Sequence, residues 1–184
     1  MTIQKVAVIG SGVMGSGIAA QIANAGLPVL FYDLEAPKAV IERMTAQGPS
    51  GPFMDTCRSE LLEPLSLTAD LARLAEADWI CEVIVEDLKV KRDLYEKIEA
   101  IRKPDAILSS NTSTIPLAQL VEGRSEGFRQ HFVITHFFNP PRYMPLLELI
   151  TSKDNSPELV AEITRFMDVS MGKGVVRTND TPGF

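Results

Sequence analysis

A chain of 184 residues with 45% hydrophobic composition and a formal net charge of −6 carries enough apolar mass for a globular core, as one domain or one domain with an appendage. The acidic balance, with no lysine or arginine cluster, argues against nucleic acid or an anionic membrane surface as partner. Cys57 and Cys81 share no C-x-x-C spacing and no metal-ligand set appears, so neither a disulfide framework nor a metal centre is expected. No apolar stretch approaches membrane-spanning length, and Met1-Thr2-Ile3-Gln4-Lys5 runs straight into a first strand without room for a cleavable signal; a cytoplasmic protein is expected.

The run Val6-Ala7-Val8-Ile9 predicts a strand, and Ile18, Ala19, Ile22 and Ala23 recur at helical spacing. Between them lies Gly10-Ser11-Gly12-Val13-Met14-Gly15. Its G-x-G-x-x-G spacing answers three steric demands: a sharp turn, close approach of backbone to a pyrophosphate, and close packing of helix on strand. A helix starting there aims unpaired N–H groups and the positive end of its dipole at the turn, so an anion is the expected guest. Gly26 closes the helix, and Pro28-Val29-Leu30-Phe31-Tyr32 forms a second apolar run ending in Asp33. Asp33 lies 18 positions past Gly15, near the roughly 20 expected of a carboxylate that accepts hydrogen bonds from the adenosine ribose. Its charge would repel a 2′-phosphate, and Leu34 follows where an arginine would be needed, so NAD is favoured over NADP.

Residues 37–47 read as a polar helix that breaks at Gly48-Pro49-Ser50-Gly51-Pro52. A short helix over 53–62 and a third strand at Leu65-Ser66-Leu67-Thr68 follow. Trp79-Ile80-Cys81-Glu82-Val83-Ile84-Val85 has the nearly continuous apolar character of a buried parallel strand. A helix then carries Val90, Leu94, Ile98 and Ile101 on one face and stops before Pro104. Residues 106–109 form the next strand, leading into Ser110-Asn111-Thr112-Ser113-Thr114 and a short helix from Pro116 to before Gly123. Strands at Phe132-Val133-Ile134-Thr135-His136 and Leu146-Leu147-Glu148-Leu149-Ile150 follow. Ser156-Pro157-Glu158 starts a helix with a capping serine, proline at the first position and an acid in the first turn, and Gly172 ends it. Alternating strands and helices predict an α/β fold of Rossmann type: a doubly wound, mostly parallel sheet with helices on both faces, taking its ligand at the carboxyl ends of the strands. Thr181-Pro182-Gly183-Phe184 ends without a polar tail and reads as cut.

Two histidines bound the search for a base that titrates near neutral pH. His131 precedes a strand in a polar loop and reads as solvated. His136 ends that strand at the ligand edge and precedes Phe137-Phe138-Asn139-Pro140-Pro141, whose prolines and rings would fix backbone and exclude water; it is either a base or a structural strand-end histidine. Glu148, alone among leucines, either faces solvent or lies against His136, where it would fix the imidazole tautomer and raise its basicity. Glu86 and Lys91 are either a surface pair or, since they follow a strand's carboxyl end, groups within reach of a cofactor. Asn111 and Ser113 follow another strand end.

Gly10-Ser11-Gly12-Val13-Met14-Gly15, Val85-Glu86-Asp87-Leu88-Lys89-Val90-Lys91, Ser110-Asn111-Thr112-Ser113, His136-Phe137-Phe138-Asn139-Pro140 and Asp180-Thr181-Pro182-Gly183-Phe184 together resemble the 3-hydroxyacyl-CoA dehydrogenase family over its amino-terminal NAD domain. The resemblance implies NAD as cofactor and oxidation of an (S)-3-hydroxyacyl-CoA thioester to the 3-oxoacyl-CoA, as in fatty-acid β-oxidation, or the reverse. His136 matches the family's base and Glu148 its acidic partner. Ser113 matches the serine that contacts substrate oxygen and nicotinamide, Glu86 and Lys91 match cofactor contacts beside Asp33, and Asn139 is a positioning group.

The family pattern continues into a carboxy-terminal helical domain that supplies dimer contacts, closes the cleft and contributes a catalytic asparagine. Residues 1–184 therefore correspond to the NAD-binding domain alone, with homodimerisation expected through the part that lies beyond. The stretch from Asp33 to Thr68 looks shorter than the family's helical hairpin, whose serine and lysine contact CoA; Lys38, Arg43 and Arg58 are substitutes without register. The Asn-Pro-Pro-Arg-Tyr wording after His136 leans toward the long fused β-oxidation enzymes. A non-catalytic nucleotide-binding module and a dehydrogenase of a smaller hydroxy acid are the alternatives.

Overall fold

The computed structural model of the chain describes residues 2–35, 39–40, 64–181 and 183. Strand β1 (Val6–Ile9) leads through the glycine turn into helix α1 (Val13–Asn24) and back to β2 (Val29–Tyr32). The helices expected within 37–47 and 53–62 lie outside the described residues, except for residues 39–40, which are helical. After them come β3 (Leu65–Thr68), a 3₁₀ turn (Leu71–Glu76), β4 (Trp79–Glu82) and α2 (Leu88–Ile101). The second half continues with β5 (Ile107–Ser110), the short helices α3 (Leu117–Leu120) and α4 (Glu126–Gln130), β6 (Phe132–Phe137) and β7 (Leu146–Ile150). Helix α5 (Pro157–Arg165), a π-helical turn (Phe166–Ser170) and β8 (Gly174–Thr178) complete it.

The eight strands form one sheet in the order β3-β2-β1-β4-β5-β6-β7-β8. From β3 to β6 every pairing is parallel; β7 runs antiparallel to β6, and β8 parallel to β7. Strand β1 pairs with both β2 and β4, so the order reverses there. That reversal opens a crevice beyond the carboxyl ends of β1 and β4, where sheets of this kind take their ligands.

Side chains alternate across the sheet, and each face is covered. Val6 and Val8 face α1, α5 and the π turn, packing with Ile18, Ile22, Ile163 and Phe166. Ala7 and Ile9 face α2, α3 and α4, packing with Tyr95, Ile98, Leu120 and Phe128. Burial on both faces removes the need for polar alternation, which is why the strands read as continuous apolar runs. Two polar side chains inside this sheet share one acceptor: the Trp79 indole N–H donates to Ser109 Oγ at 2.9 Å, and the Thr135 hydroxyl donates to the same oxygen at 2.8 Å.

Four local features differ from the sequence pattern. Strand β4 stops at Glu82 rather than Val85, because the Glu82 carboxylate takes the Ile84 N–H at 2.8 Å and turns the chain. The buried face of α2 is Lys91, Tyr95 and Ile98; Val90 is 43% exposed. Helix α4 buries only Phe128 and so has no periodicity to read. Edge strand β8, mostly exposed, offers only two valines in five residues.

Candidate active site

Sequence places a helix start directly after β1, and the glycines make the geometry possible. Gly10 has φ +101°, and a Cβ there would lie 2.5 Å from the Val83 carbonyl oxygen. A Cβ on Gly15 would lie 1.8 Å from the Gly10 oxygen, so helix and turn touch through backbone. Gly12 is different: nothing stands within 4 Å of the position its Cβ would take. That open flank lies at the N-cap of α1, where no side chain satisfies the first amides and no acid occupies the first turn. An anion brought against Gly12 meets bare N–H groups and the positive end of the dipole. Val13 is exposed and Met14 half-buried beside it.

Asp33 follows the end of β2, and its carboxylate accepts the Ser11 N–H at 2.6 Å and the Glu35 N–H at 2.9 Å. The Ser16 hydroxyl donates to the Ser11 carbonyl at 2.9 Å. The second strand's acid thus also fixes the glycine turn.

Across the crevice, the carboxyl end of β4 holds a buried polar cluster. Glu82 is fully buried; its Oε1 accepts from Lys91 Nζ at 2.6 Å and from the Ile84 amide, while Oε2 accepts from the Tyr95 hydroxyl at 2.5 Å and Ser110 Oγ at 2.7 Å. Lys91, 1% exposed, also lies 3.4 Å from Glu86 Oε2. Lys91 is therefore no surface residue. The Glu86 carboxylate in turn accepts from the Thr112 hydroxyl, the Ser113 amide at 3.2 Å and the Thr114 hydroxyl at 3.0 Å. Burial alone would raise the Glu86 carboxyl, but the Thr112 hydrogen bond and the Lys91 charge outweigh it and hold it below the usual carboxylate range. Ser113 itself is exposed on the loop that Glu86 ties down.

The third component comes from β6 and β7. Their antiparallel register sets His136 opposite Glu148, and His136 Nδ1 lies 2.8 Å from Glu148 Oε2. Both side chains are mostly buried, at 17% and 15% exposure, and the Phe138 ring tilts over the imidazole at 4.7 Å. Asn111 connects this pair to the rest of the edge: its amide donates to the Glu82 carbonyl, and its Oδ1 accepts the Phe137 N–H, both at 2.9 Å. Asn139 is exposed, at a cis bond to Pro140. His131 lies away from this edge, with Nδ1 2.9 Å from the Gly127 carbonyl.

Glu82 escaped the sequence reading. The available signal was an acid inside an apolar strand run, the same signal that singled out Glu148. Lys173 escaped it too: it is 2% exposed, and its ammonium donates to the carbonyls of Pro141 and Met144.

A crevice at the reversal of strand order, with an open helix N-terminus on one wall and a strand-end carboxylate beside it, is the dinucleotide-binding crevice of a doubly wound sheet, and the fold and site define the chain as a domain of that class. Known proteins narrow the class. The model of the 3-hydroxyacyl-CoA dehydrogenase, NAD binding domain, matches residues 5–181, and the chain belongs to that family. A probable 3-hydroxyacyl-CoA dehydrogenase of Deinococcus radiodurans is 48% identical across the whole chain, which spans 56% of that protein. One from Bacillus subtilis is 40% identical, and the chain spans 26% of it. Among solved structures, Mycobacterium tuberculosis FadB2 superposes over the whole chain and 66% of its own with a TM-score of 0.88 at 31% identity. The 3-hydroxybutyryl-CoA dehydrogenase of Escherichia coli K12 gives 0.87 at 32% identity, over the whole chain and 40% of its own. The chain thus spans about half, or less, of the curated relatives it matches. No described helix is long and apolar enough to cross a membrane.

Proposed function

We propose that the chain is the NAD-binding and proton-transferring part of an enzyme that interconverts (S)-3-hydroxyacyl-CoA and 3-oxoacyl-CoA in fatty-acid oxidation. The observation that carries the reading is the His136–Glu148 pair, 2.8 Å apart, on the same sheet edge as the glycine turn. Gly10, Ser11, Gly12, Val13, Met14 and Gly15 hold the pyrophosphate, with Gly12 as the open point of approach, and Asp33 takes the adenosine ribose. Glu86 and Ser113 line the nicotinamide side, with buried Lys91 holding Glu86 in place from beneath. When bound, NAD supplies the hydride acceptor.

His136 does the proton work. Glu148 faces Nδ1, which fixes that nitrogen as the protonated one and leaves Nε2 to take the proton from the substrate hydroxyl. The carboxylate stabilises the imidazolium so formed, and Phe138 keeps water from it. Ser113 Oγ and Asn139 orient the reacting oxygen. In the reductive direction His136 returns the proton from Nε2. The same reading puts the protein in the cytoplasm, with a helical domain following residue 184 and a homodimer formed through it.

The test is calorimetry of the chain with NADH, with and without acetoacetyl-CoA, followed by NADH oxidation assays on His136→Gln in the full-length enzyme. Saturable NADH binding that the thioester tightens is expected. H136Q should keep NADH affinity and lose at least about 10²-fold in turnover. Absence of NADH binding by folded protein, or unchanged turnover in H136Q, refutes the proposal.

A further inference from the structure

Among the described residues, Lys173 is the one buried cation near the site that the mechanism leaves unused. It sits just after Gly172, whose φ of +64° turns the chain out of the π-helical turn and into β8. At 2% exposure its ammonium faces no carboxylate among the described residues. It donates to the carbonyls of Pro141 and Met144, the latter at 2.8 Å, and lies 5.8 Å from the centre of the Phe137 ring. Burying a charge on neutral acceptors is expensive, and burial lowers the Lys173 ammonium below its ordinary range. A methionine of similar length would fill the same volume at lower cost. The charge therefore serves the atoms it touches.

Those atoms belong to the loop between β6 and β7, which begins directly after the His136 strand. The loop makes one tight turn, with the Tyr143 and Met144 amides both donating to the Pro140 carbonyl at 3.0 Å. Pro141 lies against the second turn of α1: a Cβ on Gly17 would meet its ring at 3.0 Å. The Gly174 amide holds the far end through the Pro145 carbonyl at 2.8 Å. One loop thus touches the cofactor helix on one side and carries Phe138, which covers His136, at its start. Arg142, Tyr143 and Met144 are not buried, so little apolar packing holds the loop from outside.

We infer that Lys173 is a positioning residue for the proton-transfer centre: its ammonium draws two loop carbonyls inward, seats Pro141 on α1 and so keeps Phe138 over His136. The inference rests on the proposed role of His136; the anchoring of the loop does not.

The test is made on the 184-residue chain with Lys173→Met, which keeps the stem and removes the ammonium, and with Lys173→Gln, which keeps a neutral donor. The first readout is native-state trypsin cleavage after Arg142, expected to be about tenfold faster in K173M, with K173Q between it and wild type. The second is specific to the site. The two histidines give separate imidazole C–H proton signals, and the Phe138 ring current displaces those of His136. In both variants the His136 signals should move toward those of an uncovered imidazole, while His131 stays in place as the internal control. Folded K173M and K173Q whose His136 signals superimpose on wild type overturn the inference, whatever the loop does under trypsin. If K173M does not fold, K173Q is judged on the same criterion. NADH calorimetry on the same samples keeps the two claims apart: a chain that binds no NADH refutes the proposed function, while the NMR comparison still decides the role of Lys173.

Discussion

Replacing Glu82 by Gln removes the negative charge beneath Lys91 without changing the volume of the side chain. The amide can still accept from Ile84 N–H, and its NH₂ can donate to the Tyr95 and Ser110 oxygens if their hydroxyls rotate, so the loss is mainly one of charge compensation. Breaking a buried pair by removing one partner costs about 3–5 kcal/mol. The lower end applies here, since Glu86 Oε2 remains 3.4 Å from the ammonium, and we expect about 3 kcal/mol. That is a large share of a domain stability of about 5–15 kcal/mol. Urea denaturation followed by circular dichroism measures it. The double variant E82Q/K91M should recover most of the loss, because no buried charge is then stranded. A loss below about 1 kcal/mol in E82Q, or no recovery in the double variant, refutes the reasoning.

The glycine turn gives a contrasting pair. Gly15→Ala, with its Cβ 1.8 Å from the Gly10 oxygen, should lower stability by about 1–3 kcal/mol and weaken NADH binding together; Gly12→Ala, at an ordinary φ of −63° and facing open space, should leave the urea midpoint unchanged and weaken NADH binding alone. For pH, the carboxyls of Glu86 and Asp78 are both held below their usual range: burial raises each, but Thr112 and Lys91 outweigh it at Glu86, and Lys103 with the Gln4 and Lys5 amides at Asp78. A carboxyl lowered on folding stabilises above its unfolded value of roughly 4 and loses that contribution as pH falls through the folded value. Melting temperature should therefore hold from neutral pH to about 5 and fall below about 4, with a shallower acid limb in D78N; a rise on acidification would contradict the assignment. The Cys81 thiol, pushed up to about 12 by burial, should resist iodoacetamide in the folded chain and react on unfolding, as read by peptide mass spectrometry.

Much of the architecture lies open in the residues themselves. Glycine spacing, the acid after the second strand and the double-sided burial of Trp79-Ile80-Cys81-Glu82 are local signals with local causes, and they suffice for a Rossmann-type sheet. The helix start at Ser156 is equally local, with its hydroxyl accepting the Leu159 amide at 3.1 Å. Features left undecided or unseen depend on relations between distant segments. Glu148 has two readings, and β7 running antiparallel to β6, a direction no single strand encodes, is what sets it against His136. Lys91 reads either as a surface partner of Glu86 or as a group within reach of a cofactor until β4 supplies Glu82 from nine residues away, and only the fold brings Lys173 over Pro141 and Met144. Strand β8 is an edge element with few apolar residues, so hydropathy alone leaves it unmarked.

The antiparallel pairing of β6 and β7 has a consequence for how such a chain can drift. His136 and Glu148 are partners by ladder position, while the segment joining them is a bend whose length the ladder does not dictate. Residues gained or lost in that bend would renumber the acid and leave the pair intact. A slip of the ladder by a single residue would instead bring Leu147 or Leu149 opposite the imidazole and turn the carboxylate to the other face of the sheet. Among distant descendants, the acid is therefore to be sought by its rung opposite the histidine, not by a fixed count of residues after it.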